Sequence, residues 1–93
     1  KATRLAGERT VLDAARAAIA RGDGGAALIA IEAHEDRYPD GALVEEREAL
    51  TVLALAKIGR VDEAKAKAAR FHARYPSSLF AHAVDDAVRA PAE

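Results

Sequence analysis

Residues 59–78, GRVDEAKAKAARFHARYPSS, decide the fold of this chain. Between the opening glycine and the proline, apolar residues recur at every third or fourth position, the spacing of one helical face. Gly59 suits a left-handed turn before the helix, and Pro76 stops it because proline lacks a backbone N–H. The stretch therefore predicts an amphipathic helix over residues 61–75. Its apolar stripe contains Val61, Ala64, Ala68, Phe71 and Tyr75, and its basic face contains Lys65, Lys67, Arg70 and Arg74.

The same pattern occurs once more, 37 residues earlier in the chain. Residues 21–41, RGDGGAALIAIEAHEDRYPDG, align with residues 58–78 over a glycine turn, an early alanine and a terminal Arg-Tyr-Pro. Self-similarity at a fixed period indicates a supersecondary unit that is copied along the chain. We therefore predict two similar helical hairpins. The matched positions are Gly22 with Gly59, Ala27 with Ala64, Arg37 with Arg74, Tyr38 with Tyr75 and Pro39 with Pro76.

Glycine and proline interruptions divide the whole chain into five helical segments. No segment shows the period-two alternation of a strand, and alanine, the strongest helix former, supplies about a quarter of the residues. A chain of 93 residues is long enough for one domain. We therefore predict a single all-α domain over residues 1–93, built from stacked antiparallel helical hairpins. Its helices are expected at about 6–21, 25–38, 42–58, 61–75 and 78–89.

The predicted helices differ in how many apolar faces they carry. The third is apolar on two faces, which predicts a position in the middle of the stack. The fifth has one polar face and is expected to cap the stack, because terminal repeats need a polar outer surface. The first has no such asymmetry, so some of its large apolar side chains are expected to stay exposed. These side chains are Leu5, Leu12 and Ile19.

The glycine turn, Asp62-Glu63-Ala64, the core positions Ala68 and Phe71, and the closing Pro76 resemble the second half of a tetratricopeptide repeat. The resemblance covers about residues 8–90 as two and a half hairpins, and it implies a short right-handed superhelix. Departures from the family pattern lie mainly in the first repeat. They are Gly24 and Gly25 at the helix opening, His34 in place of the Phe71 aromatic, and Val11 and Glu48 near the missing aromatic of each first helix.

The ending Tyr-Pro-x-Ser looks like that of repeats in bacterial envelope proteins, namely outer-membrane-assembly lipoproteins and the periplasmic coordinator of the Tol–Pal system. This resemblance implies a periplasmic or envelope-associated protein, with a cytoplasmic one as the alternative. The chain begins at Lys1 and contains no methionine, so we expect it to be a piece of a longer protein.

Composition argues against several classes of partner. The formal net charge is −1 and the charges are interspersed, whereas nucleic-acid binders carry clustered cations and a basic pI. No apolar run approaches the roughly 20 residues of a membrane span, so we expect no direct membrane insertion by this segment. The chain has no cysteine, which excludes disulfides and thiolate chemistry.

Several residue types that serve catalysis, metal binding or phosphate binding in other proteins have structural interpretations in this chain. His34, His72 and His82 lack metal-ligand spacing, so we expect no metal. Ser77 and Ser78 precede a helix and are expected to cap it. The glycines at 22–25 follow no strand and precede no Gly-Lys-Ser/Thr, so they form a turn rather than a phosphate loop. Adjacent acids such as Asp62-Glu63 suit the first turn of a helix, and a Glu63–Lys67 pair is expected within it. We expect no catalytic residues and no cofactor.

The leading hypothesis is a non-catalytic protein-interaction module that binds a protein or peptide. In the tetratricopeptide architecture, the first helix of each hairpin lines the inner curve, where apolar anchors with a polar rim suit a helix or extended peptide. Two alternatives stay open: a structural or oligomerisation segment that packs on another copy or on a neighbouring domain, and an enzyme completed by another chain. The predicted binding residues are Glu46, Ala49, Leu50, Leu53 and Lys57, with Asp13, Arg16 and Ala20.

Overall fold

The structure, a computed structural model, describes residues 2–89, and in that range it contains five α-helices and no strand. The predicted all-α class is confirmed. α1 and α2 pack closely together, as do α3 and α4, in an arrangement consistent with two helical hairpins followed by a single helix. The helices are α1 (Ala2–Ala20), α2 (Gly24–Arg37), α3 (Val44–Lys57), α4 (Val61–Arg74) and α5 (Ala81–Val88).

Two helices begin elsewhere than predicted. α1 begins at Ala2 rather than near residue 6. α5 begins at Ala81 rather than at residue 78, because the preceding residues form a turn. In that turn the Ser78 hydroxyl accepts the N–H of Phe80 at 3.0 Å, and no side chain caps α5. The prediction that the serines cap the last helix was therefore wrong: Ser78 closes the turn instead.

Both hairpins turn through the same hydrogen-bond pattern. Gly22 and Gly59 have φ of +82°, a left-handed conformation that glycine adopts without steric cost. In each turn the glycine N–H and the next N–H reach back three and five residues, which is a Schellman motif. The 37-residue repeat is therefore a repeat of backbone geometry as well as of sequence. The bonds join Gly22 to Ile19 (2.9 Å), Asp23 to Ala18 (2.8 Å), Gly59 to Ala56 (3.1 Å) and Arg60 to Leu55 (3.0 Å).

The second helix of each hairpin also ends in the same way. The N–H groups of Tyr38 and Tyr75 donate to the carbonyls of His34 and Phe71 at 2.7 and 2.8 Å. In each pair the two rings pack against each other, with centroids 5.4 and 5.2 Å apart. His34 is fully buried at the position equivalent to Phe71, which confirms its assignment to the core stripe.

α3 lies between two clusters of buried side chains and contributes to both, which confirms its predicted place in the middle of the stack. It contacts all four other helices. The first cluster holds Leu12, Ala15, Ala18, Ala27, Ile31, Leu50 and Ala54. The second holds Ala49, Val52, Leu55, Ala64, Ala68, Phe71 and Val84.

Of the three large apolar side chains of α1 among which some were expected to stay exposed, Leu12 is fully buried in the first cluster. Ile19 is half-buried and packs against the same cluster, and Leu5 alone is substantially exposed, at 47%. The reason is that α1 packs on both α2 and α3, so it buries a wider face than its own sequence pattern indicates.

α5 packs on α3 and α4 and carries charged residues at its exposed positions. Asp86 and Arg89, both exposed, form an ion pair of 2.8 Å. In the 37-residue repeat, Asp86 and Arg89 are equivalent to Ala49 and Val52 of α3. Ala49 and Val52 are buried against the next helix. A helix with paired charges at those positions suits a solvent-facing cap.

The charged residues of α4 lie outward, but one predicted pair differs. Asp62 and Glu63 occupy the first turn as expected. Glu63, however, pairs with Arg60 at 2.9 Å, and the described ion pairs include no Glu63–Lys67 contact. Arg60 immediately precedes the helix and therefore reaches the same carboxylate from the N-terminal side.

Across residues 2–89, every helix is too short or too polar to span a lipid bilayer.

Candidate partner-binding groove

An apolar groove runs along the exposed side of α3, between α1 and α5. It exists because α1 and α5 each pack on α3 but do not contact each other. Two adjoining cavities of about 210 and 470 Å³ form it, and they share Ile19, Leu53 and Ala83. One helix therefore supplies each wall and α3 supplies the floor.

Six of the eight residues predicted to bind a partner line this groove. Arg16 and Ala20 stand on the α1 wall, and Glu46, Leu50, Leu53 and Lys57 follow one another along α3. These α3 residues recur at intervals of three or four, so one side of the helix presents them together. Leu50 is mostly buried in the floor and exposes only 7% of its surface.

The other two predicted residues lie elsewhere. Ala49 is buried in the second core cluster, on the side of α3 that faces α4 and α5. Asp13 is exposed on α1 but does not line either cavity, and it accepts a hydrogen bond from Arg9 at 3.1 Å. Both deviations arise because the sequence does not reveal the rotation of a helix about its own axis.

Sequence reasoning missed the α5 wall of the groove. It is formed by Ala83, Asp86 and Ala87 of α5 and by Phe80 just before the helix, whereas the sequence pattern indicated only a cap. The 37-residue period could have identified two of them, because Ala83 and Ala87 are the equivalents of Glu46 and Leu50. α5 begins 37 residues after α3, and its inner face continues the surface of α3.

A cluster of ion pairs closes one end of the groove. Arg9 donates two hydrogen bonds to the carboxylate of Glu46, at 2.6 and 2.9 Å, and Arg16 adds a third at 3.2 Å. The hydrogen bonds from Arg9 lower the pKa of Glu46 below its ordinary value, although burial opposes them. The same carboxylate raises the pKa of Arg9. Glu46 is therefore a buried anion held by α1, and it joins the two hairpins.

A second polar cluster lies inside the molecule and involves Glu8, His34 and Arg47. Each is at least 94% buried, and the atoms bond to one another: His34 Nε2 to Glu8 Oε1 at 2.9 Å, and Arg47 Nη1 to His34 Nδ1 at 3.3 Å. A guanidinium can only donate, so Nδ1 accepts and Nε2 carries the proton that His34 donates to Glu8. The imidazole therefore lies between the carboxylate of Glu8 and the guanidinium of Arg47.

Glu8 also fixes the loop between α2 and α3. Its carboxylate accepts the backbone N–H groups of Ala42 and Leu43, at 3.0 and 3.1 Å. Burial by itself would raise the pKa of Glu8, but these bonds and the one from His34 outweigh it and lower the pKa. Gly41 beside it has no room for a side chain, because a Cβ would collide with this carboxylate. The cluster is thus almost completely buried and fully bonded.

The remaining histidines form surface pairs. His72 lies 2.7 Å from Asp85 and joins α4 to α5, and His82 lies 3.5 Å from Asp86. His82 is exposed. Among residues 2–89, no group of three His, Asp or Glu side chains is arranged to hold a metal ion.

Comparison of the chain with protein-family models, curated proteins and solved structures found no match. The interpretation of the groove therefore depends on its own geometry.

Proposed function

We propose that this domain is a non-catalytic interaction module that binds a peptide or protein segment in the groove between α1 and α5. The observation that carries the proposal is the continuous apolar lining shared by the two cavities, at Ile19, Leu53 and Ala83. Binding grooves combine an apolar centre with a few polar groups at the rim. Here the rim is supplied by Arg16 at one end and Lys57 at the other.

The internal cluster of Glu8, His34 and Arg47 supports a structural role for the acid–base residues. General acid–base catalysis requires a group that reaches the substrate. These side chains are buried, and their bonds go to one another and to the backbone of the α2–α3 loop. They hold the loop that sets α3, and with it the floor of the groove.

We further propose that the domain is of the tetratricopeptide type. Two features support this: the repeat of the Schellman turns at Gly22 and Gly59, and the repeat of the helix ends at Tyr38 and Tyr75. α5 extends the same pattern as the first helix of a third unit. In such a stack each unit packs on its neighbours, and the first helices together line one curved face.

Selection from a random twelve-residue peptide library on phage, with the immobilised domain, tests the proposed function. Ala83→Glu places a carboxylate in the apolar centre of the groove at an exposed position, so it should abolish enrichment without affecting folding. Ala20→Glu does the same from the α1 wall. Ile29→Glu is the matched control, because Ile29 lies on α2 outside both cavities and is 71% exposed.

Equal enrichment by the Ala83→Glu, Ala20→Glu and wild-type domains would contradict the proposal, as would the absence of any enriched peptide. Circular dichroism establishes that each variant is folded. Sedimentation velocity of the wild type tests the alternative role in self-assembly: a dimer that Ala83→Glu dissociates would mean that a second copy occupies the groove.

For localisation we propose the bacterial periplasm, on the strength of the Tyr75-Pro76-Ser77-Ser78 repeat ending. Fractionation of source cells with an antibody against the domain tests this. Recovery of the parent protein in the cytoplasm would contradict it.

A further inference from the structure

We propose that the segment bound in the groove is acidic: one or two apolar side chains flanked by carboxylates. This inference rests on the proposed function, and it names the chemistry of the partner. The observation behind it is the charge balance of the groove, in which the anions are neutralised internally while cations keep free hydrogen-bond donors.

The carboxylates near the groove are all paired within the domain. Glu46 is held by Arg9 and Arg16 and is almost completely buried. On the opposite wall, Asp86 is paired with Arg89 at 2.8 Å. Beside the groove, Asp13 accepts from Arg9. Each of these anions already has an arginine of the domain beside it, and Glu46 has almost no exposed surface left for a basic partner.

The two cations that line the cavities, by contrast, are only partly paired or unpaired within the described part of the domain. Arg16 contacts Glu46 through Nη1 only, at 3.2 Å, and 57% of its side chain is exposed. The other guanidinium donors of Arg16 therefore face solvent. Lys57 is exposed and has no ion pair with any described residue. Arg16 borders the smaller cavity, and Lys57 borders the larger one.

The positions of these cations set the pattern of the bound segment. Ile19, Leu53 and Ala83 are common to both cavities, so the apolar centre lies between the Arg16 end and the Lys57 end. An apolar side chain placed there would have a cation on either side. Carboxylates flanking it can meet Arg16 and Lys57, whereas flanking lysines would face like charges. The cavities are lined by two cations, Arg16 and Lys57, and two anions, Glu46 and Asp86. Glu46 is buried under Arg9 and Asp86 is paired with Arg89, so Arg16 and Lys57 are the charges that remain for a partner.

The expected magnitude follows from the exposure of these groups. Solvent-exposed ion pairs typically contribute ~0.2–1 kcal/mol, so removing one cation should weaken binding roughly 1.5- to fivefold. Removing both should weaken binding by up to roughly 25-fold if the two ion pairs are independent. Because such pairs are screened by salt, the difference should shrink at high ionic strength.

The composition of the peptides enriched by the wild-type domain in the library selection is the first test. Enrichment of Asp or Glu on both sides of Leu, Ile, Val or Phe supports the inference. Enrichment of apolar peptides with neutral or basic flanks overturns it and leaves the groove as the binding site. Failure to enrich any peptide contradicts both the inference and the proposed function.

Affinity measurements with the most enriched peptide are the second test. Arg16→Gln/Lys57→Gln should weaken binding of that peptide, measured by fluorescence anisotropy, and make it less sensitive to salt. Arg9 still binds Glu46 through two hydrogen bonds, so this variant should fold. The matched control is Lys65→Gln/Arg70→Gln, which removes two exposed cations from α4, outside both cavities. Equal affinity for the two double variants would overturn the proposal.

Discussion

At the scale of single residues, the domain is unusual in burying a carboxylate, an imidazole and a guanidinium in one bonded row. Glu8, His34 and Arg47 come from three different helices, so the row ties α1, α2 and α3 together. Burying charge is costly unless each group is paired and hydrogen-bonded. No buried side-chain nitrogen or oxygen among the described residues lacks a partner, so this condition is met.

Glu8→Gln should lower the free energy of unfolding by about 1–3 kcal/mol. Three N–H donors converge on the carboxylate of Glu8, from His34, Ala42 and Leu43. In the variant, the side-chain NH₂ of glutamine would replace one carboxylate oxygen, and at either position it would face at least one of these three donors. His34 cannot move its proton from Nε2 to Nδ1 to accept from this NH₂, because Nδ1 would then face the guanidinium of Arg47, which only donates.

Urea denaturation followed by circular dichroism measures the effect of Glu8→Gln. The matched control is Glu35→Gln, which makes the same chemical change at an exposed site on α2. Equal unfolding midpoints for the two variants would refute the assignment of Glu8 as a structural anion.

Stability should fall in acid because the pKa values of Glu8 and Glu46 are lowered in the folded domain. A depressed carboxyl pKa stabilises the fold above the ordinary value of 4.5, and this stabilisation is lost as the pH falls below 4.5 through the folded-state pKa. Urea titrations at a series of pH values measure how steeply the free energy of unfolding changes with pH. The double variant Glu8→Gln/Glu46→Gln should show a shallower acid dependence, and an unchanged slope would contradict this origin.

At the scale of elements, the two glycines that open α2 have different roles. A Cβ on Gly24 would lie 2.7 Å from the Ala54 carbonyl oxygen and 2.8 Å from Ile58 Cγ2, whereas at Gly25 the nearest atom is Asp23 Oδ1, 3.8 Å away. Gly24 thus allows α2 to approach the end of α3. Asp23 completes the helix start by accepting the N–H of Ala26 at 2.9 Å.

Gly24→Ala should therefore destabilise the domain by about 1–3 kcal/mol, because backbone atoms of α3 must move. Gly25→Ala should be neutral or stabilise it by up to about 1 kcal/mol, since alanine favours the helix and the site is open. Thermal unfolding of the pair measures the difference. The same loss of stability in both variants would mean that helix propensity, and not close packing, governs this segment.

At the scale of the whole molecule, the stack is stabilised unevenly. α3 contacts four helices, whereas α5 has eight residues and packs on α3 and α4 only. Local opening is easiest where few apolar contacts are lost. α5 is also one wall of the groove, so its opening would change the width of the groove.

Amide hydrogen exchange should therefore be fastest in α5 and slowest in α3. Val84→Ala should accelerate the exchange of α5 further, because Val84 is fully buried between α5 and its neighbours. Val61→Ala is the matched control, since Val61 is 45% exposed. Mass spectrometry of peptic fragments measures both effects. Protection of α5 equal to that of α3 would contradict this ranking.

The sequence by itself determined the helical class, the five segments, the 37-residue repeat and the core positions of His34 and Phe71. These follow from local rules: glycine and proline end helices, and apolar spacing marks the face that a helix buries. Much of the groove also followed, because Leu50 and Leu53 share one face of α3.

Only the tertiary structure decided which charged residues are buried and which walls face each other. Nothing in the spacing of Glu8, Arg47 and Glu46 distinguishes them from solvated charges, since their partners lie on other helices. Likewise, Ala83 lines the groove and Ala49 does not, and this depends on the rotation of each helix and on the gap between α1 and α5. Helical periodicity is a property of neighbours along the chain, whereas charge pairing and groove shape arise between segments that meet only on folding.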